Sequence, residues 1–95
     1  MLDELLILKK IKEGDIKAFE ELFRRYYFPL CCYAAGITGQ MAVAEEIVEE
    51  LFYVLWKERE RLQIFQSVKS YLYRATRNQS LQYCEHEEVR NRYRE

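Results

Sequence analysis

Apolar residues recur along the chain with helical spacing, and no segment alternates in the way a half-buried strand would. Leu2, Leu5, Leu6, Leu8 and Ile11 predict a short first helix. Gly14 suits its C-terminal cap, and Asp15 can accept free amide hydrogens as the N-cap of the next. From there Phe19, Leu22, Phe23, Tyr26, Tyr27 and Leu30 form one wide apolar stripe. Pro29 falls inside it and predicts a kink or a restart. Gly36-Ile37-Thr38-Gly39 reads as a loop. A third helix is expected over 41–58, with Ala44, Ile47, Val48, Leu51, Val54 and Leu55 facing the core. The stretch 57–66 breaks the period and reads as a loop. Ser67 then caps a fourth helix, with Val68, Tyr71, Leu72 and Ala75 inward, that frays into a charged tail after Cys84. The expected architecture is all-α: a small bundle of about four helices forming one domain over 1–95. Its core spans 14–86, with 87–95 as a charged tail or the start of a linker.

Composition narrows the function classes. The 95 residues are 49% apolar and 33% charged, which supports a packed core and leaves little area for a deep catalytic cleft. Only 3 Gly and 1 Pro occur, too few for a turn-rich β fold. No apolar run approaches the ~18–20 residues of a membrane span, so no membrane insertion is expected. The N-terminus lacks a secretory pattern, and three cysteines in such a chain read as reduced thiols in the cytoplasm.

The net charge is −1, but it is unevenly spread. Residues 1–63 hold nine basic and twelve acidic side chains. Residues 64–84 hold Lys69, Arg74 and Arg77 and no acid. The tail 85–95 holds three Arg against four Glu. An acidic middle followed by a basic segment points to two surfaces with different partners.

Two constellations carry chemistry. Glu45, Glu46, Glu49 and Glu50 make like-charge pairs one turn apart, each costing a few tenths of a kcal/mol. Phe52, Tyr53 and Trp56 crowd the same side. The band reads either as a solvated face or as a docking surface for a basic partner. The second constellation interleaves Phe65, Tyr71, Tyr73 and Tyr83 with Lys69, Arg74, Arg77 and Asn78. Cations beside rings suit single-stranded nucleic acid, with phosphates on Arg and Lys and bases on the rings. Arg74, Arg77, Asn78 and Leu81 share one helix face. The alternative is an ordinary helix with packed tyrosines and solvated arginines.

Other chemistry is not supported. Cys31 and Cys32 point ~100° apart on a helix and make a poor metal clamp. They read as buried free thiols, and Cys84 with His86 supplies at most two ligands. No phosphate loop, nucleophile elbow or metalloprotease helix is present. No enzyme activity, cofactor or metal is expected.

The order of motifs resembles a known family. Gly14-Asp15-Ile16-Lys17-Ala18-Phe19-Glu20-Glu21-Leu22-Phe23-Arg24-Arg25-Tyr26-Tyr27 is similar to the opening of region 2 of extracytoplasmic-function (ECF) sigma factors, in a style nearest those of the Bacteroidetes. Ala44 to Trp56, AEEIVEELFYVLW, resembles their polymerase-binding helix. Ser67 to Asn78, SVKSYLYRATRN, resembles their promoter-melting and −10-recognition segment. The likeness runs over about 14–86.

The resemblance implies a domain of transcription initiation that binds core RNA polymerase and recognises and melts the promoter −10 element. Carried over by position, Glu46, Glu49, Glu50, Phe52 and Trp56 would dock on the β′ clamp helices. Leu62 and Asn78 would form the pocket for a flipped base of the non-template strand. Lys69, Tyr71, Arg74 and Arg77 would line that strand. The two patches are expected on separate sides of the bundle. An anti-sigma factor is a further possible partner. Glu49 stands where the family usually has Gln, Leu62 replaces a frequent aromatic, and Glu85, Glu87 and Glu88 replace basic residues. These departures predict weak DNA binding without polymerase. The −35-reading domain that accompanies such modules is expected elsewhere, in a longer protein. The competing class is a helical protein-interaction module, an adaptor or regulator with no nucleic-acid role.

Overall fold

Caps written into the sequence start and stop the helices. The computed structural model describes residues 3–63 and 67–94. Its elements are α1 (Glu4–Lys12), α2 (Ile16–Thr38), α3 (Met41–Lys57), a single 3-10 turn (Arg59–Arg61) and α4 (Val68–Arg94). Asp3 Oδ1 accepts the Leu5 amide at 3.2 Å, and Asp15 Oδ1 accepts the Lys17 and Ala18 amides. Ser67 Oγ accepts the Ser70 amide at 3.1 Å. Each offsets donors that a first turn leaves unpaired. Between α1 and α2, Gly14 adopts φ +91°. Its amide donates to the Ile11 carbonyl, and the Asp15 amide donates to the Lys10 carbonyl. This paired closure is a Schellman motif, and its left-handed residue favours glycine.

The bundle is all-α, with α2 at its centre. One side of α2 buries Ala18, Leu22, Tyr26, Leu30, Cys31 and Ala34. Against it pack Ile7, Leu8 and Ile11 of α1, Ala44, Val48, Phe52 and Leu55 of α3, and Val68 and Leu72 of α4. Two buried hydroxyls continue the α4 seam. Thr76 Oγ1 donates to the Leu72 carbonyl and Ser80 Oγ to the Thr76 carbonyl, so neither is left unpaired.

Several boundaries differ from the sequence reading. The α2 helix runs through Pro29 without a restart. Pro29 is exposed, so water can serve the Arg25 carbonyl that lost its amide partner. Gly36 to Thr38 are helical rather than a loop. The helix stops only at Gly39, whose φ of +77° lets its amide reach the Ala35 carbonyl at 2.8 Å. The core also begins earlier than 14, because α1 is an integral layer of it. The helix α4 extends to Arg94, where fraying after Cys84 was expected. Glu87–Arg90 and Glu88–Arg92 pairs staple its last turns. Tyr71, read as inward, is 37% exposed. Of the adjacent thiols only Cys31 is buried, since one helical step turns Cys32 out to solvent. Leu2, Ile64, Phe65 and Gln66 lie outside the described residues.

A polar staple ties α1 to α2. The Tyr26 hydroxyl donates to Glu4 Oε2 at 2.6 Å, and Arg25 bridges Glu4 and Glu21. Burial, then the Glu4 carboxylate, pushes the Tyr26 phenol well above its ordinary range. Burial, then the Cys31 thiol, pushes Tyr27 up to about 12 from 10. Both phenols are therefore held protonated by folding. Their contribution is complete below pH 10 and is lost as pH rises through the folded values. Tyr26→Phe should lower stability at neutral pH by about 1 kcal/mol and make the alkaline decline shallower. Thermal melts between pH 7 and 11.5 check both.

Candidate polymerase and nucleic-acid interface

The rotation of α3 decides which of its residues meet solvent. Phe52 lies one turn beyond Val48 and two beyond Ala44, so it falls on the buried side. Its ring meets Phe23 edge-on at 5.0 Å and Phe19 at 6.1 Å. At 2% exposure it is a core residue and cannot be a contact on a docking face. This corrects its assignment to the polymerase-binding set. Val54, expected in the core, is instead 42% exposed. Trp56 is half-buried, 5.1 Å from Phe19, with the Arg59 guanidinium 4.3 Å over its ring. Arg59 Nη1 also donates to the Trp56 carbonyl at 2.9 Å. Trp56 thus supports the end of α3 more than it projects from it.

Glu45, Glu46, Glu49 and Glu50 are all exposed. Among the described residues none is paired with a Lys or Arg. Tyr53, at 59% exposure, stands a turn beyond Glu49, with Lys57 Nζ 5.9 Å from its ring centre. The outward face is therefore Glu46, Glu49, Glu50 and Tyr53. Tyr53 belongs to the acidic-aromatic band read from the sequence, but not to the docking set that the family resemblance implies. The signal for it was available: it lies opposite the true stripe of Ala44, Val48, Phe52 and Leu55, once Phe52 is counted inward.

On α4, Lys69, Arg74, Arg77 and Asn78 are exposed, as the nucleic-acid reading requires of them. Helical spacing brings Arg74, Arg77, Asn78 and Leu81 onto one outward face. Lys69 sits apart, in the first turn.

The structure joins residues that were expected apart and parts two that were expected together. A groove of about 570 Å³ runs between α3 and α4. Glu46 and Glu50 form one wall, Tyr71 and Asn78 the other, over Ile47 and Leu51. The acidic and carboxamide patches therefore share an edge instead of occupying separate sides. Gln79, which the sequence reading does not single out, also lines this groove, as does Tyr83 of the basic-aromatic constellation. Leu62, by contrast, is 8% exposed and packed into the core. It borders a different cavity, of about 680 Å³, beside Leu5, Leu8, Lys9 and Lys12 of α1. Among the described residues Leu62 and Asn78 line different cavities, against their pairing in one pocket. The reason is the 3-10 turn, which tucks Leu62 back toward α1.

Among the described residues no group of three or more His, Cys, Asp or Glu is placed to hold a metal. No helix there is long and apolar enough to cross a membrane. Burial raises the Cys31 thiol, the opposite of what a reactive thiolate needs.

A helical bundle with these two faces defines a class that family comparison names. The sigma-70 region 2 family model matches residues 22–89. The chain belongs to that family. A search of the solved structures finds an engineered region 2 of sigmaE, determined by NMR in complex with GTAAAA. It shares 21% identity over 94% of this chain and 93% of that one, with a TM-score of 0.78, so the fold is the same. No curated protein matches the sequence. The chain is thus a sigma-factor domain of transcription initiation, whose family works with core RNA polymerase and promoter DNA, and it is not an enzyme.

The burial pattern separates core from surface within α3. Phe52→Ala should cost about 3–5 kcal/mol of stability. Glu46→Gln with Glu50→Gln should change stability by less than ~0.5 kcal/mol, since it relieves a like-charge pair. Urea denaturation of both variants checks this.

Proposed function

We propose that this domain acts as region 2 of an ECF-type sigma factor in the cytoplasm. It binds core RNA polymerase through α3 and recognises and melts the −10 element through α4. The observation that carries this reading is the pair of exposed faces on one bundle, glutamates on α3 and cations with a carboxamide on α4. Glu46, Glu49 and Glu50 with Tyr53 would meet the basic clamp helices of β′. Phe52 and Trp56 act from beneath by fixing the rotation of α3.

On the second face, Arg74 and Arg77, with Lys69 at the head of α4, would follow the backbone of the non-template strand. Asn78 would read an extruded base, because a carboxamide offers both donors and an acceptor to a Watson–Crick edge. Tyr71 offers a ring beside it for stacking. Leu62 contributes through packing, not as a wall of this pocket. An anti-sigma factor is a fitting third partner. A segment seated in the α3–α4 groove would cover Glu46 and Glu50 together with Tyr71 and Asn78.

Glu46→Lys with Glu49→Lys should weaken capture of a β′ clamp fragment by more than tenfold while leaving the helical circular dichroism intact. Undiminished capture would contradict the docking face. Affinity for single-stranded oligonucleotides should fall with salt at a log–log slope near −2, about −0.7 for each of three cations. A salt-independent affinity would count against α4 as the strand-binding face.

A further inference from the structure

The helices α3 and α4 each rest on α2 more than on one another, and a groove opens between them. Its floor is apolar. Ile47 and Leu51 of α3 and Ala75 of α4 are only half-buried there, covered in full by neither helix. Val54, on the same side, is 42% exposed. The volume of about 570 Å³ lies within the ~300–1,000 Å³ of small-molecule sites. Such sites share this plan, an apolar trough with a few polar groups at its edges.

The polar groups are segregated by wall. Glu46 and Glu50 stand one turn apart on α3, with ~5–6 Å between Cβ atoms at that spacing. The α4 wall carries the carboxamides of Asn78 and Gln79 and the rings of Tyr71 and Tyr83. Among the described residues no Lys or Arg lines the groove, and neither glutamate has an ion-pair partner. The rim thus holds two negative charges at one place, beside apolar surface and without a balancing cation.

Charge complementarity calls for a cation, and the arrangement limits its size. Two carboxylates one turn apart can share a single head group. Beyond them the groove is neutral, so a long basic chain would find no acid for its further charges. Phenol rings attract a cation as well as covering apolar surface. We propose that the α3–α4 groove is a binding site for a small amphipathic organic cation, a protonated amine or amidine on an apolar body. The head sits at Glu46 and Glu50, and the body lies over Ile47, Leu51 and Ala75. Asn78 and Gln79 supply hydrogen-bond partners on the opposite wall. The site stands independently of the polymerase and strand readings, although its ligand would touch one residue of each face, Glu46 and Asn78.

The test uses the full isotope-labelled chain with 4-phenylbutylamine as the probe, followed by amide chemical shifts. Saturable perturbation is expected at Ile47, Leu51, Ala75 and Gln79, with a dissociation constant below ~1 mM. Two further compounds divide the probe: 5-phenylpentanoate has a like body with an anionic head, and butylamine has the head without the ring. Each should bind at least tenfold more weakly. Glu46→Gln with Glu50→Gln should weaken the amine at least fivefold, with the helical circular dichroism retained. Glu45→Gln, outside the groove, should leave its affinity within twofold. The absence of saturable shifts would overturn the assignment, as would equal binding of the pentanoate or an affinity that ignores the double variant. So would shifts centred on the cavity beside α1. An amphipathic helical peptide of Lys and Leu tests the other occupant. If it perturbs the same residues at more than tenfold higher affinity, and loses that advantage in the double variant, the groove belongs to a protein partner and the small-ligand site falls. Affinity within tenfold of the amine, or no binding, supports the small cation.

Discussion

Phe52 meets Phe23 and Phe19 of α2 edge-on, and this three-ring contact fixes the rotation of α3 about its axis. Edge-to-face pairs add about 0.5–1.5 kcal/mol each beyond the area they bury, and the geometry admits one rotation. With Phe52 inward, Ala44, Val48 and Leu55 follow it into the core. Glu46, Glu49 and Glu50 must then face solvent, one turn apart, with no paired cation among the described residues. Folding thus holds the acidic face open at a small repulsive cost. A partner's cations would relieve that repulsion, which is the physical basis for reading the face as a docking surface.

Much of the fold was legible because local chemistry and global packing agree. Asp15 and Ser67 were readable as caps, Gly14 as a stop, and the α2 stripe as a buried face. Where the reading failed, tertiary context outweighed a local cue. Pro29 looked like a break, but an exposed proline in a 23-residue helix removes one bond and leaves the remaining packing intact. Gly36 looked like a loop, yet only Gly39 takes the left-handed conformation. The tail looked too charged to order, but its charges are spaced to pair along a helix.

The candidate site was legible in type and less so in arrangement. Charge and period marked the band Glu45, Glu46, Glu49 and Glu50 and the shared face of Arg74, Arg77 and Asn78, all exposed, while the family resemblance chose among them and implied their roles. Phe52 and Leu62 were misplaced because an aromatic or aliphatic side chain beside charged neighbours gives no local sign of its direction. Only the register of the whole stripe, or the turn at 59–61, decides it. The shared groove between α3 and α4 could not be read at all, since it arises from how two helices lie together. It places the acidic and carboxamide faces edge to edge, so a ligand in the groove touches both.

The central claim is that one bundle presents two chemically distinct faces, of which α4 alone receives the strand. Amide chemical shifts of the labelled chain, followed during titration with single-stranded DNA, test it most directly. The account predicts perturbations concentrated at Tyr71, Arg74, Arg77 and Asn78, with Glu45 and Glu49, which lie outside the shared groove, unmoved. Perturbations centred on the glutamates of α3, or spread evenly over all four helices, would contradict it.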